Sequence, residues 1–280
     1  MPELPEVETI CRGLAQHCVG AVVLSAHIHR PGFVRGSQNK IDLFTGLTIA
    51  CVSRHGKQFV LESVCGRAML FHMGMSGSVT VRPFLWTPAT HVHVRWTLTR
   101  DGKKFEIHHK DPRRFGFVHT YDHMKFVRDE IWSKLGPDAL VVTAQNLSER
   151  LKNRPRAIKA ALLDQSIIAG VGNIYADESL FQSGIHPLRK AQSITLGELV
   201  LLVKKLRSIL KKSIHGGGST IQDHASAMGI PGSFQNSHLV YGRGKLPCTV
   251  CGTNLRQIMC VQRTTVFCPT CQPRRPKKHI

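Results

Sequence analysis

An α+β fold is expected, on three observations. Apolar residues open the chain at helical spacing: Val7, Ile10, Cys11, Leu14 and Cys18 recur three and four apart over 6–18. From about 20 to 120 the texture changes to short apolar runs, VVLSAHI, FVLESV, AMLFHM and HVHVRWTL, parted by Gly, Pro and Asp turns as in an antiparallel sheet. Beyond 155 the helical period returns, and the C-terminal part, 238–280, carries two Cys-x-x-Cys pairs.

In order along the chain, 130–150 reads as helix and linker around Gly136–Pro137. Pro155 suits a first helical turn, with Ile158, Ala161, Leu162 and Gln165 following the period. Thr195 and Glu198 make a capping box. After it Leu199, Val200, Val203, Leu206 and Leu210 line one face, with Lys204, Lys205, Lys211 and Lys212 mostly off it. HGGGSTIQDHASAMGIPGSF, 215–234, is a loop long enough to be functional or disordered. The segment 238–280 is too small to hold a core alone, and RRPKK at 274–278 reads as a basic extension. Three domains follow: 1–130, 131–237 and 238–280.

Charge narrows the partner. Lys and Arg total 38 against 18 Asp and Glu, a net charge of +20, which points to a polyanion. Nucleic acid is the first choice, although ribosomal proteins and binders of acidic membranes share such a balance. No apolar run reaches the ~18 residues of a membrane span, and the N-terminus has no secretion-signal pattern. Nine cysteines, an odd number, argue against a secreted disulfide framework. A cytoplasmic protein with reduced thiols is expected.

Cys248-Thr-Val-Cys251 and Cys268-Pro-Thr-Cys271 stand 16 residues apart, a spacing that suits a four-thiolate zinc site able to supply the folding energy of this small segment. Four unmetallated thiols are the alternative. Between them RQIMCVQRTTVFC reads as a hairpin with Arg256 and Arg263 at its tip, a plausible DNA probe. Cys260 lacks a Cys-x-x-Cys partner, and Cys11, Cys18, Cys51 and Cys65 read as core.

The first eight residues, MPELPEVE, hold three acids. If Met1 is removed, Pro2 offers a secondary amine, and an α-amino group titrating near ~8 is roughly a tenth neutral at pH 7. Such an amine attacking an anomeric carbon gives an iminium, which permits elimination, and Glu3 is placed to move protons. Equally, Pro and Glu are simply favoured in a first helical turn.

MPELPEVET resembles the N-terminus of bacterial formamidopyrimidine-DNA glycosylases. The likeness continues in family order through RHGKQF (54–59), HMGMSG (72–77), DPRRFG (111–116), GVGNIYADES (170–179), VYGR (240–243) and QRTTVFC (262–268), spanning essentially the whole chain. The resemblance implies a β-sandwich behind the first helix, then a helix–two-turn–helix domain with a zinc-finger hairpin. It implies Pro2 as nucleophile, Glu3 as general acid/base, Glu6 in support, and Lys57 on phosphate and damaged nucleotide. His72 would sit near a phosphate; Met75, Arg113 and Phe115 would fill the gap left by an extruded nucleotide. Asn173 and Arg263 would hold phosphates, and one structural Zn2+ would sit on Cys248, Cys251, Cys268 and Cys271.

His91 and His93, read as sharing a strand face, with His108 and His109 nearby, suit phosphate neighbours better than a second metal; His91 is taken as a DNA contact. Where the family commonly shows GGTT this chain has Gly217-Gly218-Ser219-Thr220, so Ser219 and Thr220 are the expected lid contacts to a flipped purine. The implied enzyme is a monomeric glycosylase and AP lyase acting on duplex DNA that contains oxidised purines or abasic sites. An oxidised-pyrimidine glycosylase of the endonuclease VIII type and a non-catalytic damaged-DNA binder are the alternatives.

Overall fold

A computed structural model describes residues 2–36, 43–220 and 226–274. Met1, residues 37–42, residues 221–225 of the Gly-rich loop and the tail after Arg274 lie outside the described residues. Contacts divide the chain into two units, 1–134 with 213–235, and 135–212 with 236–280.

The first unit begins with α1 (Leu4–Cys18), which starts as soon as the sequence permits. Pro5 fits the first turn, and Glu3 and Glu6 form a reciprocal capping box. Leu4, Val7, Ile10, Leu14 and Cys18 face inward and are buried. On the other side Glu8 takes Arg12 at 2.8 Å and the buried guanidinium of Arg54 at 2.7 Å.

Nine strands follow: β1 (Val22–Ile28), β2 (Val34–Arg35), β3 (Ile49–His55), β4 (Gln58–Ser63), β5 (Ala68–His72), β6 (Ser78–Pro83), β7 (Val92–Arg100), β8 (Lys103–Lys110) and β9 (Phe117–Tyr121). They form two sheets, ordered β1-β7-β8-β6 and β2-β9-β5-β4-β3. Every pairing is antiparallel except β2 with β9. Their inner faces and α1 share one core, in which Phe59 and Phe71 stack at 4.5 Å beside Trp96. The short α2 (Met124–Phe126) covers a smaller cluster on β4 and β5.

The segment 213–235, placed by sequence with the helical domain, groups with the first unit instead. The Val81 N–H at the edge of β6 donates to Ala227 O at 2.7 Å. Ala227 is part of the sandwich core, and a side chain on Gly13 would come within 2.5 Å of its Cβ. Two other expectations in this unit change. Cys51 is half-buried and Cys65 exposed, because Cys65 lies in the turn between β4 and β5 rather than on an inward strand position.

The second unit holds α3 (Ala144–Leu151), α4 (Ile158–Leu163), α5 (Asn173–Gln182) and most of α6 (Leu196–His215), then the hairpin β10 (Arg256–Cys260) and β11 (Arg263–Phe267). Pro155 precedes α4 by a bend instead of opening it, and Gln165 lies past its end. The Thr195–Glu198 capping box forms, with Thr195 N–H on Glu198 Oε2 at 2.9 Å and Glu198 N–H on Thr195 Oγ1 at 3.3 Å. Val200 is 54% exposed, however; Leu202 and Ile209 take the inward places, so the buried stripe runs through 199, 202, 203, 206, 209 and 210. No helix among the described residues is long and apolar enough to cross a membrane.

Candidate active site and nucleic-acid interface

The acids at the head of this cationic chain are placed by backbone donors. Pro2, Glu3 and Glu6 are all buried. Glu6 sits in the first turn of α1, where the positive end of the helix favours a carboxylate. Its Oε2 accepts the Glu3 N–H at 2.9 Å and its Oε1 the Ser219 N–H at 2.8 Å. One carboxylate therefore joins the Pro2–Glu3 turn to the root of the Gly-rich loop, across 213 positions of sequence.

That root is closely built. A side chain on Gly232 would meet Gly218 O at 2.2 Å, so the two backbones touch. Thr220 Oγ1 accepts the Gly232 N–H at 2.8 Å, and the Thr220 N–H donates to Gln235 Oε1 at 2.9 Å. Of the residues expected at a flipped base, Ser219 thus has its N–H engaged by Glu6 and Thr220 its N–H by Gln235.

Lys57 occupies the turn between β3 and β4, after Gly56 with φ of 58°. Its neighbour Gln58 pairs with His72 at the end of β5. Burial first, then the charges of Lys57 and Arg35, hold the His72 pKa below its usual value, so its imidazole is neutral at pH 7. His72 Nδ1 accepts the Gly74 N–H at 3.1 Å, which puts the ring proton on Nε2 as a donor.

HMGMSG and DPRRFG form a clasp. The Asp111 side chain is buried and accepts the Ser76 hydroxyl at 2.6 Å and the Gly116 N–H at 2.7 Å. Ser76 Oγ in turn accepts the Arg113 N–H at 3.0 Å. A side chain on Gly74 would reach Gly116 N at 2.5 Å, so only glycine lets these loops close. The clasp leaves Met75 half-buried, unlike Met73, which is core, and presents Arg113 and Phe115 outward with the guanidinium 5.1 Å from the ring centroid. Phe115 is 55% exposed, an apolar ring held in water on a rigid loop.

His91 and His93 do not share a strand face. A register irregularity between Val92 and Val94 breaks the alternation. His91 lies outside β7, exposed, with φ of 67°, whereas His93 is buried with Nε2 2.8 Å from Asp111 O. His109 is fully buried, and desolvation pushes its pKa down to about 3.

In the second unit Gln165 clamps the glycine turn before α5: its Oε1 accepts the Gly170 N–H and its Nε2 donates to Val171 O, both at 2.9 Å. Gly172 caps the helix and Asn173 opens it, its Nδ2 donating to Thr264 O at 2.9 Å. Arg263 is exposed at the start of β11, beside a two-residue turn in which Val261 and Gln262 have φ of 44° and 57°. Arg256 is not at the tip; it pairs with Phe267 at the base of the hairpin. Sequence reasoning passed over Asp177, Glu178 and Lys159. Glu178 Oε1 accepts the N–H groups of Leu239, Val240 and Tyr241 at 2.9–3.0 Å, and Asp177 pairs with buried Lys159 at 2.7 Å. Two adjacent acids inside an otherwise uncharged helix are the available signal.

The Sγ atoms of Cys248, Cys251, Cys268 and Cys271 lie within 4.8 Å of one another, the one group of potential metal ligands among the described residues. Two of their separations are 3.9 Å (Cys248–Cys271) and 3.5 Å (Cys251–Cys268). A tetrahedral ion with Zn–S near ~2.3 Å needs edges of about 3.8 Å, so the thiols fit it. The N–H groups of Val250 and Cys271 point at Cys248 and Cys268 sulfur at 3.5 and 3.4 Å, as suits thiolates. Cys260 stands apart from this group.

Comparison with known proteins agrees with this geometry. The family model described as formamidopyrimidine-DNA glycosylase N-terminal domain matches residues 1–118, and the one described as its H2TH domain matches 135–225. The formamidopyrimidine-DNA glycosylase of Desulfitobacterium hafniense is 40% identical over 276 residues, covering 97% of this chain and all of that one. The Lactococcus lactis Fpg solved with abasic-site DNA superposes with a TM-score of 0.87 at 32% identity, covering 96% and 99% of the two chains. The MutM (Fpg) protein of Thermus thermophilus gives 0.83 at 36% identity, covering 98% and 100%. Fold and site together define a DNA-repair glycosylase of the helix–two-turn–helix class. Within it, the chain belongs to the formamidopyrimidine-DNA glycosylase family.

Proposed function

We propose that this chain releases oxidised purines, 8-oxoguanine and formamidopyrimidines, from duplex DNA and then cleaves the strand by β/δ-elimination through a Schiff base on Pro2. The observation that carries the reading is the Glu6 carboxylate, which ties the Pro2–Glu3 turn to the lid root at Ser219. The Lactococcus lactis relative bound to abasic-site DNA supports the substrate class.

With Met1 removed, the Pro2 nitrogen attacks C1′ of the damaged nucleotide, and the base departs with its bonding electrons and takes up a proton. Opening of the sugar ring leaves the iminium, which acidifies the adjacent C2′–H and allows the 3′-phosphate to leave. Glu3, one residue on, moves protons at the deoxyribose. Glu6 keeps that turn in place, and Lys57 with the His72 Nε2–H meets phosphate. An extruded base must leave its stack, and Met75, Phe115 and Arg113 occupy the space it vacates, Arg113 facing the widowed cytosine. Asn173, Arg263 and His91 hold flanking phosphates, while Ser219 and Thr220 meet the flipped base once the loop root rearranges. Cys248, Cys251, Cys268 and Cys271 would hold one structural zinc ion, which when bound supplies folding energy to the hairpin segment.

Borohydride added to protein and 8-oxoguanine duplex is expected to reduce the iminium to a permanent adduct, absent when the N-terminal nitrogen is blocked by acetylation. No adduct from protein with a verified Pro2 terminus overturns the mechanism. Faster excision of thymine glycol than of 8-oxoguanine overturns the purine assignment.

A further inference from the structure

The hairpin of the second unit is a two-stranded ribbon, so β11 has an outer edge with no strand beside it among the described residues. Its two-residue turn closes on the pair Cys260–Arg263, which makes Thr264 and Val266 the positions whose backbone groups point away from β10. Unmet, a buried N–H and C=O there would be costly. The Val266 N–H donates to Asp177 Oδ2 at 3.1 Å, while Lys159 Nζ at 3.2 Å and Asn173 Nδ2 at 2.9 Å donate to Thr264 O. Lys159 also donates to Thr265 Oγ1 at 2.7 Å, whose hydroxyl donates to Arg263 O at 3.2 Å. Lys159 and Asp177 face each other at 2.7 Å with side-chain exposures of 0% and 1%.

We infer that Lys159 and Asp177 are positioning residues for Arg263: together they stand in for a third strand along β11 and so set the guanidinium on the phosphate backbone. An apolar pair of equal volume would avoid the desolvation of two charges. It would offer no acceptor for Val266 and no donor for Thr264. Burial pushes the Asp177 carboxyl up to about 6, against the pull of Lys159, so its carboxylate is held at pH 7 at a cost. The inference rests on the reading that Arg263 grips DNA.

The test uses the full-length zinc-loaded protein and a duplex carrying a non-cleavable tetrahydrofuran abasic analogue. Asp177→Asn and Arg263→Ala should each weaken binding about tenfold and lower the salt slope by about one phosphate. The double variant should bind no more weakly than Arg263→Ala alone. Single-turnover excision by Asp177→Asn at saturating 8-oxoguanine duplex should stay within about twofold of wild type, since the defect is in gripping DNA rather than in chemistry. Wild-type affinity for Asp177→Asn, or losses that multiply in the double variant, overturns the inference and leaves the Arg263 reading standing. Wild-type affinity for Arg263→Ala overturns both. If Asp177→Asn sheds zinc, the charge-free Lys159→Met/Asp177→Leu variant decides: weakened binding with zinc at one per chain supports the role, and wild-type affinity refutes it.

Discussion

The clasp of the first unit and the hairpin of the second both carry exposed side chains that the proposed function sets against DNA, yet they are held by different means. The clasp adjoins the large sandwich core, to which neighbouring Phe71 and Met73 belong, and is closed by glycine contacts and one buried acid whose carboxylate accepts from a hydroxyl and a backbone N–H. The hairpin rests on a small cluster, Phe181, Val240, Cys248, Leu255, Val266 and Cys268, and recruits a buried ion pair, Glu178 and four thiols. Where apolar area is plentiful, backbone fit suffices to hold a loop. Where it is scarce, buried charge and a cluster of thiols fit to hold a metal stand in its place.

The sharpest break of this contrast is metal removal. Structural zinc contributes on the order of 10 kcal/mol to such segments. Cys268→Ser, or chelation of the native chain, should unfold the hairpin and cut duplex affinity more than about a hundredfold, with the first unit still folded; circular dichroism, zinc analysis and binding titration check it. Asp111→Ala comes next. It strands the Ser76 hydroxyl and Gly116 N–H, for a loss of about 3 kcal/mol in thermal or urea unfolding. Excision should fall with it, and zinc content should not.

The smallest effect separates the two regions by acid. His109 in the sandwich core is depressed to about 3, below its unfolded value near ~6.5, so its neutral form stabilises the fold above that value and the contribution is lost as pH falls towards 3. The limiting slope is about 1.4 kcal/mol per pH unit. Asp177 is raised to about 6, so its folded form takes up a proton first and its penalty is relieved as pH falls through 6. His109→Leu should therefore flatten the loss of stability between pH 6 and pH 4, measured by urea unfolding at each pH. An unchanged slope would remove His109 as the source.

Much of this was legible in the chain because it is local. The Cys-x-x-Cys pairs, the Thr195–Glu198 cap, the Pro–Glu helix start and the glycines of the clasp each declare a short-range geometry. What was not legible depends on partners distant in sequence. Helical period could not tell Val200 from Leu202, since both lie near the stripe and packing chooses between them. His91 left the strand through an irregularity that alternation does not reveal. The roles of Asp177 and Glu178 are not declared by any local pattern, because their N–H donors come from β11 and residues 239–241. The motif order along the chain carried the family, and its match to two family models over 1–118 and 135–225 agrees.

The Glu6–Ser219 bond has a consequence for the order of synthesis. A ribosome makes the chain from its N-terminus at roughly 5–20 residues per second. The sandwich can begin to form once 134 residues are out, but its last segment, 213–235, arrives only after most of the second unit has been made. A nascent chain therefore carries its amine and its first acids for some seconds before the lid root can join them. An N-terminal fragment ending at Lys134 would keep Pro2, Glu3 and Glu6 and lack the Ser219 N–H that Glu6 holds in the whole chain.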